Sequence, residues 1–404
     1  MNYKDAIDVL FTKLPMFQRT GPAAYKANLD GTIAVCQMLN NPQNNLKFVH
    51  IAGTNGKGTV AHMISSVLQK SGYKVGLFTS PHLIDFRERI RINGEMISEQ
   101  DVVNFVESYS EIWNTPSFFE LTFGMAIQYF DNEKCDIVIL ETGMGGRLDS
   151  TNVIPSAEVS VVTNVGLDHQ QFLGQTIREI ATEKAGILKP GVPVVLGKMR
   201  PEAQSVVLDR AMKTSSEMFY GRTPPQDLNP DSSPTFLENA STAFEALRVL
   251  NLHGWNIDES TIAPALNNYR SISGQRGRAE IIPASQGLGS LILDCAHNLD
   301  GVRKLLSSLQ GQLHIVFGAV ADKDPCPVLS LIPAGSQMYW CAANIVRAMD
   351  PDTLANHGKS LGLQGTTFPS VNAATQAARQ ATSSNDNTQA VVCGSVFVVG
   401  EALD

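Results

Sequence analysis

The chain has 404 residues, of which 43% are hydrophobic and 17% charged, with a formal net charge of −8 and a pI near 5.5. This composition excludes a disordered or fibrous protein, and the acidic balance argues against nucleic acid as a partner. Its length predicts two domains. Scattered cysteines without a CxxC pair, no signal peptide and no apolar run of about 18 residues predict a reduced, cytoplasmic protein without a membrane span.

Short apolar runs alternating with helical patterns predict a mainly parallel sheet in the first part of the chain. Strands are expected at 46–52, 74–78, 136–140, 159–164 and 192–196, and helices at 59–71, near 99–113 and near 120–132. A loop rich in Pro, Asp and Ser at 223–234 precedes a helix at 237–252. Most of the strands end in small, polar or acidic residues, where open α/β sheets bind ligands.

A flexible segment at 283–290 predicts a domain boundary, with one domain at 1–283 and a smaller α/β domain at 284–404. In the second domain, strands are expected at 291–294, 314–317, 338–341 and 390–393, with a helix near 301–309 and a polar loop at 382–388.

The first chemical motif is Gly53-Thr54-Asn55-Gly56-Lys57-Gly58-Thr59, between a predicted strand and a predicted helix. Backbone N–H groups at such a position bind anions, and a lysine can reach the outer phosphates of a nucleotide. The strict phosphate-loop pattern is not met, because its first glycine would fall on Ile51 and Gly58 separates Lys57 from Thr59. The alternative is a glycine-rich turn with a surface lysine.

Two further motifs follow predicted strands of the same sheet. Glu141 begins the run ETGMGGRLD, and a carboxylate at the end of a parallel strand suits Mg²⁺. Thr163–His169 (TNVGLDH) ends in a histidine that we expect to contact metal or phosphate, although a lone histidine is more often structural. Lys184 follows Glu183 late in a predicted helix. On spacing alone, the two residues are predicted to form a solvent-exposed ion pair.

In the second domain, polar clusters follow two predicted strands: Asp294–Asn298 and Asp322–Asp324. Both are candidates to face a ligand crevice. Arg276 and Arg278, just before the predicted linker, are candidates to clamp phosphates. Each of these signals is weak alone, because charged loop residues are usually solvated.

Together these motifs resemble the bacterial folylpolyglutamate synthase/dihydrofolate synthase family of the Mur ligase superfamily. The matching blocks follow one another in family order: GTNGKGT (53–59), FTSPHL (78–83), RERIRING (87–94), FELTFGMA (119–126), ETGMGGRLDSTN (141–152), TNVGLDH (163–169), EKAGI (183–187), LDCAHN (293–298), DKD (322–324) and GSVFVVGEA (394–402). The resemblance implies a P-loop NTPase-like N-terminal domain with a mainly parallel sheet and a smaller Rossmann-like α/β C-terminal domain.

The resemblance also implies roles for individual residues. The loop residues Asn55, Gly56, Lys57, Gly58 and Thr59 would hold the phosphates of ATP, and Asn239, Arg278, Asp294 and His297 would complete the ATP contacts. Ser80, Glu141 and His169 resemble ligands of two Mg²⁺ ions. Lys184 resembles a lysine that is carbamylated in the family and would belong to the same metal site. Phe119, Glu120, Leu121, Thr122, Leu148, Asp149, Ser150, Thr151 and Asn152 resemble segments that line the folate site. Lys57, Lys184 and His169 would be catalytic.

The activity implied is ATP-dependent ligation of L-glutamate to 7,8-dihydropteroate, forming dihydrofolate, and to the γ-carboxylate of reduced folyl-glutamates, through an acyl phosphate. A cytoplasmic monomer is expected. The segment Leu14–Ala27 departs from the more familiar family version, which leaves open whether both activities are present.

Three alternatives remain at this point. A cell-wall Mur ligase joining an amino acid to a UDP-sugar would share the fold, although FTSPHL paired with FELT favours folate. A nucleotide-hydrolysing switch or motor would need a partner-binding surface instead of a second domain with polar strand ends. Non-catalytic nucleotide binding does not account for the implied metal set.

Overall fold

A computed structural model describes residues 1–14, 28–109, 116–229, 233–383 and 387–404. The chain forms two compact units, Met1–Gln275 and Arg276–Asp404. The segment Leu14–Ala27 lies outside the described residues apart from Leu14, as do parts of the loops expected at 223–234 and 382–388.

A sheet of eight strands, parallel over most of its width, forms the centre of the first unit. The strands are β1 (Phe48–Ala52), β2 (Val75–Phe78), β3 (Ile90–Ile92), β4 (Glu95–Met96), β5 (Ile137–Glu141), β6 (Val159–Val162), β7 (Val194–Leu196) and β8 (Met218–Tyr220). Their spatial order is β4-β3-β2-β5-β1-β6-β7-β8. Only β3 runs against the others, since it pairs antiparallel with both β2 and β4. Every residue of β1, β2, β5 and β6 is buried, as expected for strands covered on both faces.

Helices cover both faces of this sheet. They are α1 (Tyr3–Lys13), α2 (Asp30–Met38), α3 (Lys57–Lys70), α4 (Glu99–Ser108), α5 (Phe118–Asn132), α6 (Gln170–Leu173), α7 (Ile177–Ala185), α8 (Pro201–Lys213), α9 (Pro234–Leu252), α10 (Glu259–Asn267) and α11 (Tyr269–Ser273), with 3₁₀ turns at Pro42–Asn44, Phe86–Arg89 and Ser150–Val153. Val49 and Ile51 of β1 pack with α3, α9 and α10, whereas Phe48 packs with the helices of the opposite face. Since side chains alternate along a strand, His50 lies on the Phe48 face.

The second unit has its own six-stranded sheet. Its elements are β9 (Glu280–Ile282), β10 (Leu291–Leu293), α12 (Leu299–Ser307), β11 (Gln312–Phe317), α13 (Cys326–Leu329), β12 (Gln337–Trp340), α14 (Pro351–Ser360), β13 (Gln364–Thr367), α15 (Val371–Ala381), β14 (Thr388–Cys393) and α16 (Val396–Leu403). The strand order is β13-β12-β11-β14-β10-β9, parallel except for β9. This is the smaller α/β domain that the sequence predicts.

The division between the units precedes β9. This strand pairs antiparallel with β10, so it belongs to the second sheet. A boundary after residue 283, as drawn from composition alone, would leave β9 with the first unit. The flexible residues at 283–290 instead connect two neighbouring strands of one sheet.

The cysteines are unpaired, as their scattered spacing predicts. The six cysteines are free thiols; Cys326 is half-buried and the others are buried. Among the helices of the described residues, none has the length and apolar character needed to cross a bilayer.

Candidate active site

The glycine-rich loop connects the buried strand β1 to the N-terminus of α3. Gly56 has φ +81° and directly precedes the helix, a left-handed conformation that glycine adopts without the cost of a side chain. No side-chain cap occupies the start of α3. Its first N–H groups therefore point out of the helix, where they can bind an anion.

The loop is held from the side of β6. Thr54 N donates to Asn164 O (3.0 Å), and Asn55 N donates to Asn164 Oδ1 (2.8 Å). Thr163 Oγ1 donates to Asn55 O (2.7 Å) and Gly166 N to Thr54 Oγ1 (2.9 Å). Thr163 and Asn164 thus support the glycine-rich loop directly. The TNVGLDH motif signalled this region, but its supporting role emerges only from the contacts.

Asn239 lies against the loop although it is distant in sequence. It belongs to α9, and its Oδ1 would lie 2.4 Å from a Cβ built on Gly56. A side chain at position 56 would therefore collide with this amide. This places Asn239 beside the loop.

We predict that Gly56→Ala lowers turnover at least tenfold, because the new methyl group displaces Asn239 and also strains the loop. Gly72→Ala is the matched control. Gly72 follows the same helix with φ +91°, and nothing lies within 4 Å of its Cβ position. Both variants should lose about 1 kcal/mol of stability from backbone strain. Equal activities in the two variants would show that contact with Asn239 is unimportant.

Glu141 ends β5 beside the loop. In the parallel register it is the partner of Ile51, and it is only 4% exposed. Its Oε2 accepts a hydrogen bond from Ser80 N (3.1 Å) and would lie 3.3 Å from a Cβ built on Gly58. The glycine at position 58 thus allows this carboxylate to approach the start of α3 closely.

Lys184 is buried beside the same loop, near the C-terminal ends of the parallel strands. The sequence spacing alone predicts a solvent-exposed lysine paired with Glu183. Only 4% of it is exposed, and its Nζ donates to Gly53 O (2.8 Å). Burial, and then the positive charge of Lys57, lower the pKa of Lys184 to about 7; Asp168 and Asp149 act in the opposite direction. A substantial fraction of the amine is therefore neutral near pH 7.

His169 follows β6 and precedes α6 with φ +50°. Its backbone N–H donates to Asp168 Oδ1 (2.9 Å), and its Nε2 lies 4.0 Å from Asp168 Oδ2. The imidazole is thus paired with a carboxylate that the sequence-based site did not include. The aspartate precedes the histidine directly in TNVGLDH, so the motif did contain the signal.

The donor groups fit Mg²⁺ held partly by phosphates. Within the described ranges, no three His, Cys, Asp or Glu side chains form a group that could enclose a metal. Mg²⁺ usually takes one or two carboxylates and completes its shell with water and phosphate oxygens. The buried carboxylate of Glu141, beside a helix N-terminus that can bind phosphate oxygens, meets that requirement.

The segment 119–122 presents only one side chain with substantial exposure. Phe119 is half-buried, and its Cζ would lie 2.6 Å from a Cβ on Gly143. Glu120 forms a capping box with Ser117 at the start of α5. Leu121 and Thr122 are buried, with exposures of 1% and 0%.

The segment 148–152 is likewise directed largely into the fold. Asp149, Ser150 and Thr151 are buried, while Leu148 and Asn152 are half-buried. Asn152 Nδ2 donates to Arg147 O (3.0 Å) and Gly186 O (3.2 Å). These bonds hold the segment in place.

In the second unit, Asp294 follows β10 and accepts hydrogen bonds from Ala279 N and Ala296 N, both at 2.8 Å. Burial raises the pKa of Asp294, while Arg278 acts in the opposite direction. His297 Nδ1 lies 2.9 Å from Cys295 O. The sequence-predicted residues Arg278, Asp294 and His297 thus belong to one cluster at the end of β10.

Comparison with known proteins identifies both units. Residues 51–229 match the Mur ligase middle domain, and residues 277–396 match the Mur ligase glutamate ligase domain. A Bacillus subtilis dihydrofolate synthase/folylpolyglutamate synthase is 36% identical over 70% of this chain and 74% of its own length. A probable bifunctional folylpolyglutamate synthase/dihydropteroate synthase of Haloferax volcanii is 30% identical, and the chain spans about half of it (50%).

Solved structures agree. The structure of Escherichia coli FolC in complex with DHPP and ADP matches with a TM-score of 0.85 and 27% identity, over 100% of this chain and 97% of that one. A Yersinia pestis bifunctional folylpolyglutamate synthase/dihydrofolate synthase complexed with AMPPNP and Mn ion matches with a TM-score of 0.82 and 26% identity, covering 100% and 97%.

Proposed function

Because this chain belongs to the folylpolyglutamate synthase/dihydrofolate synthase family of ATP-dependent Mur-type ligases, we propose that it joins L-glutamate to 7,8-dihydropteroate and to the γ-carboxylate of reduced folyl-glutamates. The observation that carries this proposal is the arrangement of Lys57 and Glu141 around one anion-binding loop. A positive side chain and a buried carboxylate at a helix N-terminus suit a nucleotide triphosphate with its divalent ion.

The reaction has two steps. A carboxylate is a poor electrophile, so one of its oxygens first attacks the γ-phosphorus of ATP, forming an acyl phosphate and releasing ADP. The amine of glutamate then attacks the acyl carbon, and the C–O bond to phosphate breaks. The amine proton is lost and inorganic phosphate leaves, which completes the amide.

The residues of the loop bind and orient ATP in this scheme. The N–H groups at the start of α3 and the ammonium of Lys57 would neutralise charge on the phosphoryl oxygens as it is transferred. Ser80, Glu141 and His169 would hold Mg²⁺, which when bound polarises phosphoryl oxygens. The DHPP and ADP bound to the E. coli protein support a pteroate-type acceptor and a nucleotide here.

The choice of acceptor can be tested with purified protein, ATP, Mg²⁺ and glutamate, supplying either 7,8-dihydropteroate or a reduced monoglutamyl folate. We expect each acceptor to stimulate phosphate release. Stimulation by only one would remove the bifunctional assignment, and stimulation by neither would defeat the proposal. A third reaction supplies a UDP-sugar substrate of cell-wall ligases in place of the folate acceptors. If only this substrate supported turnover, the protein would be a cell-wall ligase.

We also propose that Lys184 is carbamylated. Its neutral amine can attack CO₂ to give a carbamate and a proton, which converts a buried neutral amine into an anion close to the residues proposed to hold Mg²⁺. Buried amines with a pKa near the ambient pH are suited to this chemistry, because only the neutral form reacts.

Protein stripped of CO₂ should regain activity when bicarbonate is added, and faster at pH 8 than at pH 6. The faster recovery at higher pH follows from the pKa of about 7 for Lys184, since the reactive neutral amine predominates only above this pH. Lys184→Ala should lose about a hundredfold in kcat and recover part of it with acetate or another short carboxylate. Lys198→Ala, at an exposed lysine, is the control. Full activity of Lys184→Ala without rescue would rule out this role.

A further inference from the structure

A buried hydrogen-bond chain links β1 to the segment 148–152. His50 is 0% exposed, and its Nε2 lies 2.8 Å from Thr151 Oγ1. Thr151 Oγ1 in turn lies 2.6 Å from Asp149 Oδ1. Neither the phosphate loop nor the proposed Mg²⁺ residues include His50, so the chemistry described above gives it no role.

The direction of the chain follows from its donors and acceptors. Burial raises the pKa of Asp149, whereas the hydrogen bonds that it accepts from Thr151 N (3.0 Å) and Met144 N (2.8 Å) favour the ionised carboxylate, which is an acceptor only. The Thr151 hydroxyl therefore donates its single proton to Asp149. In its 2.8 Å contact with His50 Nε2, Thr151 Oγ1 can then only accept, so His50 Nε2 carries the proton.

The other ring nitrogen of His50 agrees with this tautomer. Nδ1 is buried and has no hydrogen-bond partner within the described part of the chain. A buried N–H without an acceptor costs more than a bare nitrogen, so the proton belongs on Nε2. Burial, with a smaller contribution from Lys189, also lowers the pKa of His50 to about 3, which keeps the ring neutral.

The chain ends on the turn that follows Glu141. Asp149 Oδ2 accepts from Met144 N, and Asp149 N donates to Gly146 O (3.2 Å). The ring of Phe119 packs against the backbone of Gly143, the residue before Met144. Fixing Asp149 thus fixes both the turn and the surface on which Phe119 rests.

We propose that His50 is a positioning residue for the pterin-bearing acceptor: through Thr151 and Asp149 it orients the 143–149 turn and the Phe119 ring. This inference rests on the proposed function, because it assigns the turn and Phe119 to the acceptor site. It predicts that breaking the chain weakens acceptor binding selectively. The loop proposed to hold ATP is fixed by Thr163 and Asn164, which do not belong to the hydrogen-bond chain, so ATP binding should be little affected.

Paired substitutions separate positioning from general stability. Glutamine places an amide N–H near the position of the histidine Nε2, whereas asparagine places one near Nδ1. Thr151→Ser retains the hydroxyl, whereas Thr151→Val removes it at similar volume. At position 50 the pair compares a variant that keeps the N–H donor to Thr151 with one that lacks it. At position 151 the pair compares a variant that keeps the hydroxyl with one that lacks it.

The measurement is steady-state kinetics with 7,8-dihydropteroate and with ATP varied in turn. We expect His50→Asn and Thr151→Val to raise the KM for the acceptor about tenfold and to change the KM for ATP less than about twofold. His50→Gln and Thr151→Ser should recover most of the lost acceptor affinity. Melting temperatures, measured alongside, show how much each variant destabilises the fold.

Three results would overturn the inference. The first is an unchanged acceptor KM in Thr151→Val. The second is an equal rise in the KM values for the acceptor and for ATP. The third is a lower melting temperature with no change in either KM. Wild-type protein that ligates neither acceptor would instead defeat the proposed function, and the positioning role with it.

A spectroscopic readout tests the chain without turnover. In ¹⁵N-histidine-labelled protein, His50 should show a protonated Nε2 and an unprotonated Nδ1 down to about pH 5, since its pKa is about 3. The Nε2–H resonance should shift in Thr151→Val. A protonated Nδ1 would overturn the proposed direction of the chain.

Discussion

Replacing Lys57 with alanine is expected to lower kcat about a thousandfold without unfolding the protein. Lys57 is the first residue of α3, and its Nζ reaches Thr54 O at 3.4 Å, a weak contact inside the loop. Removing the side chain costs little stability but takes away the positive charge nearest to the anion-binding N–H groups. That charge matters most as negative charge redistributes during phosphoryl transfer.

The control for Lys57→Ala is Lys70→Ala, at the exposed C-terminal end of the same helix. It changes the net charge equally, so a general electrostatic effect would appear in both variants. Turnover by acceptor-dependent phosphate release and stability by melting temperature should be compared. Retained activity in Lys57→Ala would mean that the loop does not bind the transferred phosphate.

Replacing Glu141 with glutamine should lower kcat about a hundredfold and raise the Mg²⁺ concentration needed for half-maximal activity. Glutamine keeps the size of the side chain and an oxygen that can accept the Ser80 N–H. It removes the negative charge beside the start of α3. The loss should therefore appear in metal dependence and not in folding.

Glu133→Gln is the matched control, because Glu133 pairs with Lys74 at the surface and lies outside the site. Activity should be measured over a Mg²⁺ titration for both variants and the wild type. A Glu141→Gln protein with unchanged Mg²⁺ dependence would contradict the assignment of Glu141 as a metal ligand.

Strands in the middle of the two sheets were predictable because they are buried on both faces. Runs such as Ile137–Glu141 and Gln312–Phe317 are apolar over most of their length, which distinguishes them from helices and loops. The edge strand Gln364–Thr367 is fully exposed and consists of Gln, Gly and Thr. It has no hydrophobic pattern, and only pairing with β12 makes it a strand.

The sequence could predict that the glycine-rich loop and Glu141 lie close together, because the C-terminal ends of parallel strands lie on the same side of a sheet. Contacts between residues far apart in sequence were not. Lys184 reaches Gly53 across 131 positions, and its burial is invisible in the local EKAGI pattern. The Asn239 amide against Gly56 likewise depends on how α9 packs over the loop.

The orientation of the segment 148–152 was also beyond sequence reasoning. A short 3₁₀ turn has no long periodicity that would show which side chains face inward. The family resemblance assigned Asp149 and Thr151 to the substrate site. The structure shows them bonded to each other, with Thr151 also bonded to His50.

The fate of the acceptor's carboxylate oxygens tests the account most directly. The protein is incubated with ATP, Mg²⁺, glutamate and 7,8-dihydropteroate carrying ¹⁸O in its carboxylate, and the phosphate released is analysed by mass spectrometry. An acyl phosphate intermediate transfers one labelled oxygen to phosphate for each amide formed. Phosphate without label, or released equally without acceptor, would contradict a ligase that activates a pteroate carboxylate at this loop.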